Sequence, residues 1–351
     1  MGAPENPPTA SPPRTGRRRL AILLTAIVLA GLVVFALSQL NLPRVGHALI
    51  TATPGWVALA FVLMALSLLM RSISWNAVLR AALPGTEIPG APVVRATMIG
   101  VMGSAVFPGR IGEPTRVLVL SRRLDGPTRR LLPILAGTVF SQTLINLLAL
   151  AILAAVTFTS VPLLHGHLTG IEAAIGVPLL VCLLVVIGPR LLALGRRSRS
   201  PRVVRAANTI ARALSLARQG LIVFTSARLG AVAIAFQLLA WALQWLACYM
   251  VVLALGLHTG IVSAAAILLA VNVSAILPAT PSNVGVFQAA CLVVLAAYGV
   301  GSGPGLAYGI ILQAVEVLTA LALGVPALLG ENLRWQDIRP AKEPSAGDGA
   351  Q

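Results

Sequence analysis

The segment Ala96–Arg116, with the sequence ATMIGVMGSAVFPGRIGEPTR, decides how this chain folds. Its first half carries no charge, yet it is too short to cross a hydrocarbon core about 30 Å thick. Pro108 and Gly109 then end the first helix, and Gly112 lets the backbone turn. Pro114 suits the first turn of a returning helix. The segment therefore predicts a broken, re-entrant hairpin with a charged tip.

The rest of the chain is strongly apolar. Of its 351 residues, 57% are hydrophobic and 10% are charged, whereas about a quarter of the residues in a soluble domain are charged. The mean hydropathy is +0.90. One soluble domain cannot bury this much apolar surface, which excludes a soluble enzyme, and the high hydrophobicity excludes general disorder. We predict an all-α polytopic membrane protein.

Six apolar runs are long enough to span a membrane, and the second should continue as a helix through Arg71 to Leu79. The predicted spans are Leu20–Leu37, Gly55–Met70, Leu131–Ser160, Ala173–Leu194, Leu229–Leu257 and Leu306–Leu329. A cleaved signal peptide is the alternative for the first run, but no small-x-small cleavage site follows it. Two further arms, Ile261–Leu277 and Val284–Val300, predict a second broken hairpin.

Arginines set the predicted orientation. They cluster between the apolar runs, over Arg71–Arg80, Arg110–Arg130 and Arg196–Arg228, and positive loops face the cytoplasm. Most of the formal net charge of +16 is therefore an orientation signal, and we predict no nucleic-acid partner. We expect disordered cytoplasmic tails at 1–19 and 330–351 around a transmembrane domain at 20–329, in the cell membrane with both termini inside.

An internal repeat is visible at an offset of 170 residues. Ser104–Pro108 matches Ser274–Pro278, and the same offset aligns Asn146 with Glu316. Each half would hold three full spans and one hairpin, and an odd number of spans inverts the second half, as in many transporters. The predicted halves cover about 20–160 and 172–329. Chance similarity between alanine-rich apolar segments is the alternative.

The tip of the first hairpin is the first candidate binding site. Arg110, Glu113 and Arg116 lie near the start of its returning helix, where free N–H groups favour anions. Arginine adds planar recognition of phosphate. The alternative is a positive-inside loop whose arginines contact only lipid headgroups. Both interpretations stay open from the sequence alone.

The second hairpin repeats this plan with uncharged residues. Pro278 and Pro281 break the chain, and Gly285 permits close packing. Asn272, Asn283 and Gln288 place amide groups around the break, where they can serve a substrate or satisfy freed backbone groups.

Glu316 is the acidic residue deepest inside a predicted span. A carboxylate there is costly, so we expect it to act on a substrate, a proton or an arginine; a neutral structural role is the alternative. Gln142 and Asn146 should share one helix face, and Gln237, Trp241 and Gln244 another, as contacts between helices.

The sequence gives no sign of a catalytic motif, a metal or another cofactor. Its three cysteines lie in apolar runs without C-x-x-C spacing, which is typical of small buried side chains. His165 and His167 form only a weak metal pattern.

Two motifs resemble those of a known family, the transmembrane domain of lysylphosphatidylglycerol synthase/flippases and their stand-alone relatives. Pro108–Arg116 is similar to its Pro-Gly-x-x-Gly-Glu-x-x-Arg element, and Leu277–Gln288 to its Leu-Pro-x-x-Pro-Gly-Gly-x-Gly-x-x-Glu element. Here Ser282 replaces the usual Gly and Gln288 the usual Glu. The last span of the family often has an Arg in its first half, whereas this chain has Gln313 and Glu316 there. These departures put the substrate and the coupling ion in doubt.

The resemblance implies a flippase-like module for a phospholipid or lipid-linked substrate, with membrane lipids bearing anionic or aminoacylated headgroups as partners. Because the chain ends soon after its last span, we expect no synthase domain and no enzyme activity of its own. Two alternatives remain: a membrane-embedded lipid-modifying enzyme, and a scaffold for a lipid- or glycan-modifying enzyme that docks on Arg196–Arg228. The oligomeric state is left open.

Overall fold

The structure is a computed structural model that describes residues 42–106, 112–124, 128–160, 226–275 and 283–330. These residues form helices and connecting turns, with no strand among them. The helices are α1 (Leu42–Thr51), α2 (Pro54–Ala82), α3 (Gly90–Val106), α4 (Gly112–Ser121), α5 (Thr128–Ser160), α6 (Ala227–Ala254), α7 (Gly260–Ser274), α8 (Val286–Ala297) and α9 (Ser302–Gly330).

Four helices are long and apolar enough to cross a membrane: α2, α5, α6 and α9. They confirm four of the predicted spans, and α2 continues past Arg71 to Ala82 as expected. Pro at the start of α2 fixes the backbone angle of its first turn. The other two predicted spans, Leu20–Leu37 and Ala173–Leu194, lie outside the described residues.

The two predicted hairpins are present as two pairs of short helices. α3 has 17 residues and α4 has 10, while α7 has 15 and α8 has 12. At 1.5 Å per residue none reaches the roughly 30 Å of a hydrocarbon core. The predicted break residues Pro108, Gly109, Pro278 and Pro281 lie outside the described residues, as does Arg110.

The arms of the first hairpin are in backbone contact. A Cβ atom on Gly112 would overlap the carbonyl oxygen of Gly100 and the hydroxyl of Ser104, and one on Gly100 would meet the side chain of Arg116. In the second hairpin Gly285 has nothing near its Cβ position, but its φ of +90° disfavours any other residue. The two break glycines are thus needed for different reasons.

The order of helix lengths recurs along the chain. Helices α2 to α5 have 29, 17, 10 and 33 residues, and α6 to α9 have 28, 15, 12 and 29. The contacts recur as well: α3 packs against α9, and α7 packs against α5. The most extensive contact joins α2 and α6, which hold the same place in each half.

The hydrophobic interior is correspondingly divided into two clusters. One lies mainly among α2 to α5 around Trp75 and Ile99, and the other mainly among α6 to α9 around Leu268 and Tyr308. Each cluster also takes a few residues from the opposite half. The space between the two clusters is where polar side chains collect.

Two features differ from the sequence prediction. The segment between the first two predicted spans forms α1, which packs against α9, although we predicted no helix there. Arg71, assigned above to the cytoplasmic arginines, lies within α2, 11 residues before its end at Ala82, or about 16 Å along the helix axis. Because α2 continues beyond Arg71 to Ala82, this arginine lies within the helix and not in a loop at its end.

Candidate functional site

Two residues of the first candidate site, Glu113 and Arg116, form an ion pair at the start of α4. The Arg116 guanidinium lies 2.5 Å from the Glu113 carboxylate one turn earlier, and its Nη1 donates a 2.8 Å hydrogen bond to Oε1 of Gln142. The Arg116 residue is 7% exposed, whereas the Glu113 side chain is 49% exposed. The pair therefore places one charge in the protein interior and the other at its edge.

An aromatic ring completes the surroundings of Arg116. The guanidinium carbon lies 4.8 Å from the ring centre of Trp75, a distance at which the face of the indole attracts a cation. The Trp75 Nε1 donates to the Thr138 hydroxyl at 3.1 Å, which fixes the ring. The Nε of Arg116 is buried and has no hydrogen-bond partner.

Arg71 is the site residue that the sequence reasoning missed. Its Nη2 donates to Oε1 of Gln244 at 2.9 Å, and its Nε is buried without a hydrogen-bond partner. Gln142 donates to the Arg71 carbonyl oxygen at 3.1 Å, so the same amide contacts both arginines. An arginine inside an otherwise apolar helix was the signal that could have identified it.

Amide and indole groups connect α5 to α6. Gln237 donates to Oδ1 of Asn146 at 2.6 Å, and Trp241 Nε1 donates to the same oxygen at 3.1 Å. Gln142 also reaches Gln237 at 3.4 Å. The predicted helix faces are thus confirmed as polar contacts between helices, and these contacts form one wall of the site.

Two adjoining cavities lie against these residues. The first, which we call the α4 lobe, has a volume of about 350 Å³ and is lined by Glu113 and Arg116. The second, the α9 lobe, has a volume of about 260 Å³ and is lined by Gln313 and Glu316. Both are close to the lower limit for small-molecule sites, about 300 Å³. The residues common to both linings are Arg71, Val101, Ser104 and Asn272.

Glu316 faces the α9 lobe from the middle of α9. In the part of the chain that the structure describes, no hydrogen bond or ion pair to its carboxylate is present, although its charge interacts with that of Arg71. The structure thus brings Glu316 to the same cavity as Asn272 and Asn283. Asn272 donates to the Leu268 carbonyl at 2.8 Å, so it also has the structural role considered above.

The second hairpin is tied to α9 by two amides. Gln288 Oε1 accepts a 2.7 Å hydrogen bond from the backbone N–H of Gly285, and its Nε2 donates to Oε1 of Gln313. Asn283, next to this turn, has a φ of +52°. Gln288 thus serves the start of α8 and does not line either lobe.

Metal binding and cysteine chemistry find no support among the described residues. No group of three His, Cys, Asp or Glu side chains that could hold a metal ion occurs in them. Cys248 and Cys291 are free and buried, as predicted for small apolar side chains. His165, His167 and the basic segment up to residue 225 lie outside the described ranges.

Long apolar helices, paired short helices and a charged interior cavity define a multi-pass membrane protein with an internal polar site. The chain belongs to the family of the lysylphosphatidylglycerol synthase TM region, whose model matches residues 20–324. No curated protein shows significant sequence similarity to it. Family membership confirms the resemblance found in the sequence motifs and links the protein to lipid modification or translocation.

Proposed function

We propose that this protein is a translocator of a phospholipid or lipid-linked substrate, whose headgroup crosses the membrane through the α4 and α9 lobes. The observation that carries the proposal is the charged cavity in the interior of an apolar helical protein. Arg71, Arg116 and Glu316 line it from three different helices. Structural packing alone would favour apolar residues at such positions, because charges inside a membrane are expensive and mostly functional.

The cavity addresses the main barrier to lipid movement. A polar headgroup that enters hydrocarbon without partners loses several kcal/mol for each unsatisfied group and far more for a bare charge. The two lobes offer guanidinium, carboxylate and amide partners in one connected space. The surrounding apolar helices would let the acyl chains stay in the lipid while the headgroup moves.

We further propose that the two halves are inverted repeats, with six full spans in all and both hairpins re-entrant. The recurring helix lengths and the exchanged contacts, α3 with α9 and α7 with α5, support a two-fold relation. In transporters of this kind the broken helices meet near the bilayer midplane and the halves rock around the site. The arginine distribution supports a cell-membrane location with both termini in the cytoplasm.

The test is translocation in reconstituted vesicles that contain phospholipids with a fluorescent label on one acyl chain. A membrane-impermeant reductant removes the outer-leaflet signal, and further loss reports movement from the inner leaflet. We expect the protein to raise this rate above that of empty vesicles, and Arg116→Ala to lower the increase by at least about tenfold, because a charge-assisted hydrogen bond contributes 1.5–3 kcal/mol.

Two comparisons complete the test. Arg80→Ala is the matched control, because Arg80 lies on α2 but lines neither lobe. A rate equal to that of empty vesicles for every headgroup would contradict the proposal. Chromatography of the lipids after the assay shows whether a new lipid species forms, which would favour the membrane enzyme considered from the sequence.

A further inference from the structure

Four charged residues line the two lobes, and only two of them form an ion pair with each other. Glu113 and Arg116 form an ion pair with each other, so together they add no net charge to the α4 lobe. Among the described residues, the Arg71 guanidinium has one hydrogen bond, to the neutral side chain of Gln244, and the Glu316 carboxylate has no hydrogen bond or ion pair. Arg71 and Glu316 thus line the α9 lobe without forming an ion pair with each other.

These two charges face one cavity without joining in an ion pair. Both line the α9 lobe, and each affects the electrostatics of the other. Arg71 is held toward α6 by Gln244, while Glu316 projects from α9. Since α2 packs most extensively on α6, the arginine is fixed on one wall and the carboxylate on another. The cavity lies between two opposite charges that the fold keeps apart.

We infer that the α9 lobe binds a zwitterionic headgroup, with its phosphate at Arg71 and its ammonium group at Glu316. The inference rests on the proposed function and specifies its substrate class. A purely anionic headgroup would satisfy Arg71 but bring its charge against Glu316, and a purely cationic one would do the reverse. Leaving one buried charge without a partner is strongly unfavourable, so only a ligand with both charges satisfies both walls.

The neighbouring groups fit the same ligand. The buried Nε of Arg71 has no hydrogen-bond partner among the described residues, so the guanidinium keeps a donor for a phosphate oxygen. Asn272, Asn283 and Gln313 add amide groups around the lobe, which suit the ester oxygens of a headgroup. A volume of about 260 Å³ accepts a small headgroup and leaves the acyl chains outside.

Binding is tested first, without requiring transport. Calorimetric titration of the full-length protein in detergent uses three soluble probes: glycerophosphoethanolamine, which is zwitterionic; glycerophosphoglycerol, which is anionic; and ethanolamine, which is cationic. We expect the zwitterion to bind at least about tenfold more tightly than either other probe, a difference of about 1.4 kcal/mol, because only the zwitterion can contact both Arg71 and Glu316 with opposite charges. Equal affinity for the zwitterion and the anion would overturn the inference.

Variants then assign the two ends of the ligand. Glu316→Gln keeps the shape of the side chain and should abolish the preference for the zwitterion over the anion. Arg71→Gln should weaken both phosphate probes at least about tenfold, and Arg71→Lys should restore part of the affinity. Glu87→Gln is the control, because Glu87 is exposed and lines neither lobe. A preference that survives Glu316→Gln would contradict the assignment of the ammonium end.

Transport of acyl-labelled phosphatidylethanolamine and phosphatidylglycerol separates the two proposals. Faster movement of the zwitterionic lipid, lost in Glu316→Gln, supports both proposals and identifies a lipid headgroup as the ligand. Movement of both lipids at equal rates would overturn the zwitterion inference and leave the translocator intact. Binding of the soluble zwitterion without movement of either lipid would contradict the translocator and support a site for a free zwitterionic compound.

Discussion

The two hairpins share one plan and differ in charge. In the first, a side chain of α4 reaches a glutamine on the following long helix, through Arg116 and Gln142. In the second, Gln288 of α8 reaches Gln313 of α9 in the same way. The first tie carries a guanidinium paired with Glu113, and the second consists of two neutral amides.

This difference shows which part of each contact holds the hairpin in place and which part contributes a charge to a cavity. Either tie fixes the returning arm of a hairpin to the next long helix, so a charge is not required for that purpose. The guanidinium of Arg116 also lines a cavity, whereas Gln288 lines neither lobe. The charged tie therefore places a guanidinium at the α4 lobe, whereas the neutral tie reaches the α9 lobe only through the amide of Gln313.

The largest expected effect on stability comes from adding a methyl group at Gly112, between the two arms of the first hairpin. Gly112→Ala should destabilise the protein by about 3 kcal/mol or more, because its Cβ would overlap the backbone of Gly100 and overpacking is costly. Gly285→Ala should cost only about 1–2 kcal/mol, from backbone strain at φ of +90°. Size-exclusion chromatography after heating measures the loss of stability of both variants relative to the wild type.

The helical residue Gly55 supplies the control for this comparison. No atom lies within 4 Å of its Cβ position, so Gly55→Ala should leave the melting temperature unchanged or slightly raised. A Gly112→Ala variant as stable as this control would show that the arms do not pack as closely as described.

An intermediate effect on stability is expected when the charged contact of Arg116 with Gln142 is replaced by a contact between two amides, as between Gln288 and Gln313. Arg116→Gln should destabilise the protein by about 2 kcal/mol, because Glu113 loses its partner and Gln142 a charged donor. Glu113→Gln alone should cost at least as much, because it leaves the buried guanidinium of Arg116 without its counter-charge, whereas Arg116→Gln leaves a carboxylate that is 49% exposed. The double variant should recover part of the loss.

Thermal unfolding of the wild type, the two single variants and the double variant in one detergent measures the coupling between Glu113 and Arg116. Fully additive effects would show that the two side chains do not act as a pair. Translocation should stay low in the double variant even if stability recovers, since the cavity has then lost the guanidinium.

The smallest effect is expected from giving the neutral tie a charge. Gln288→Glu and Gln313→Arg introduce an acid and a base where two amides are already in contact. Each change alone should cost up to about 1 kcal/mol, and the double variant should recover roughly 0.5–1 kcal/mol by coupling. The new carboxylate can still accept from the Gly285 N–H.

The same unfolding measurement tests this cycle, with Glu87→Gln as a variant in an exposed region. An absence of coupling would contradict the contact between α8 and α9. A gain of translocation in the double variant would show that a charge on the second tie, at the edge of the α9 lobe, also promotes transport.

Much of the fold could be predicted because its signals are local. Apolar runs gave the four described spans, and proline and glycine gave two pairs of short helices. The helix α1 was missed because ten residues between two runs carry no strong periodic signal of their own. The continuation of α2 past Arg71 was predicted, but its apolar neighbours in sequence did not show that the Arg71 side chain faces a cavity.

The site was predicted in part. The motif residues Glu113 and Arg116 form one group, and Glu316, Asn272 and Asn283 share another cavity. Gln288 contacts Gln313 and so connects its hairpin to α9. Arg71 lines the site, but the sequence reasoning did not predict it. Its hydrogen-bond partner Gln244 is 173 residues away in the sequence, so no local pattern could connect them.

By itself, the sequence determined that this is a multi-pass helical membrane protein of the family named above, with two broken hairpins. Hydropathy and helix-breaking residues act within a few residues, so they can be recognised in one dimension. Only the tertiary structure decided which arginine faces the interior and that Arg71 and Glu316 line one cavity without forming an ion pair with each other. Such positions depend on contacts between helices from both halves, because burial and electrostatic pairing are properties of the packed chain.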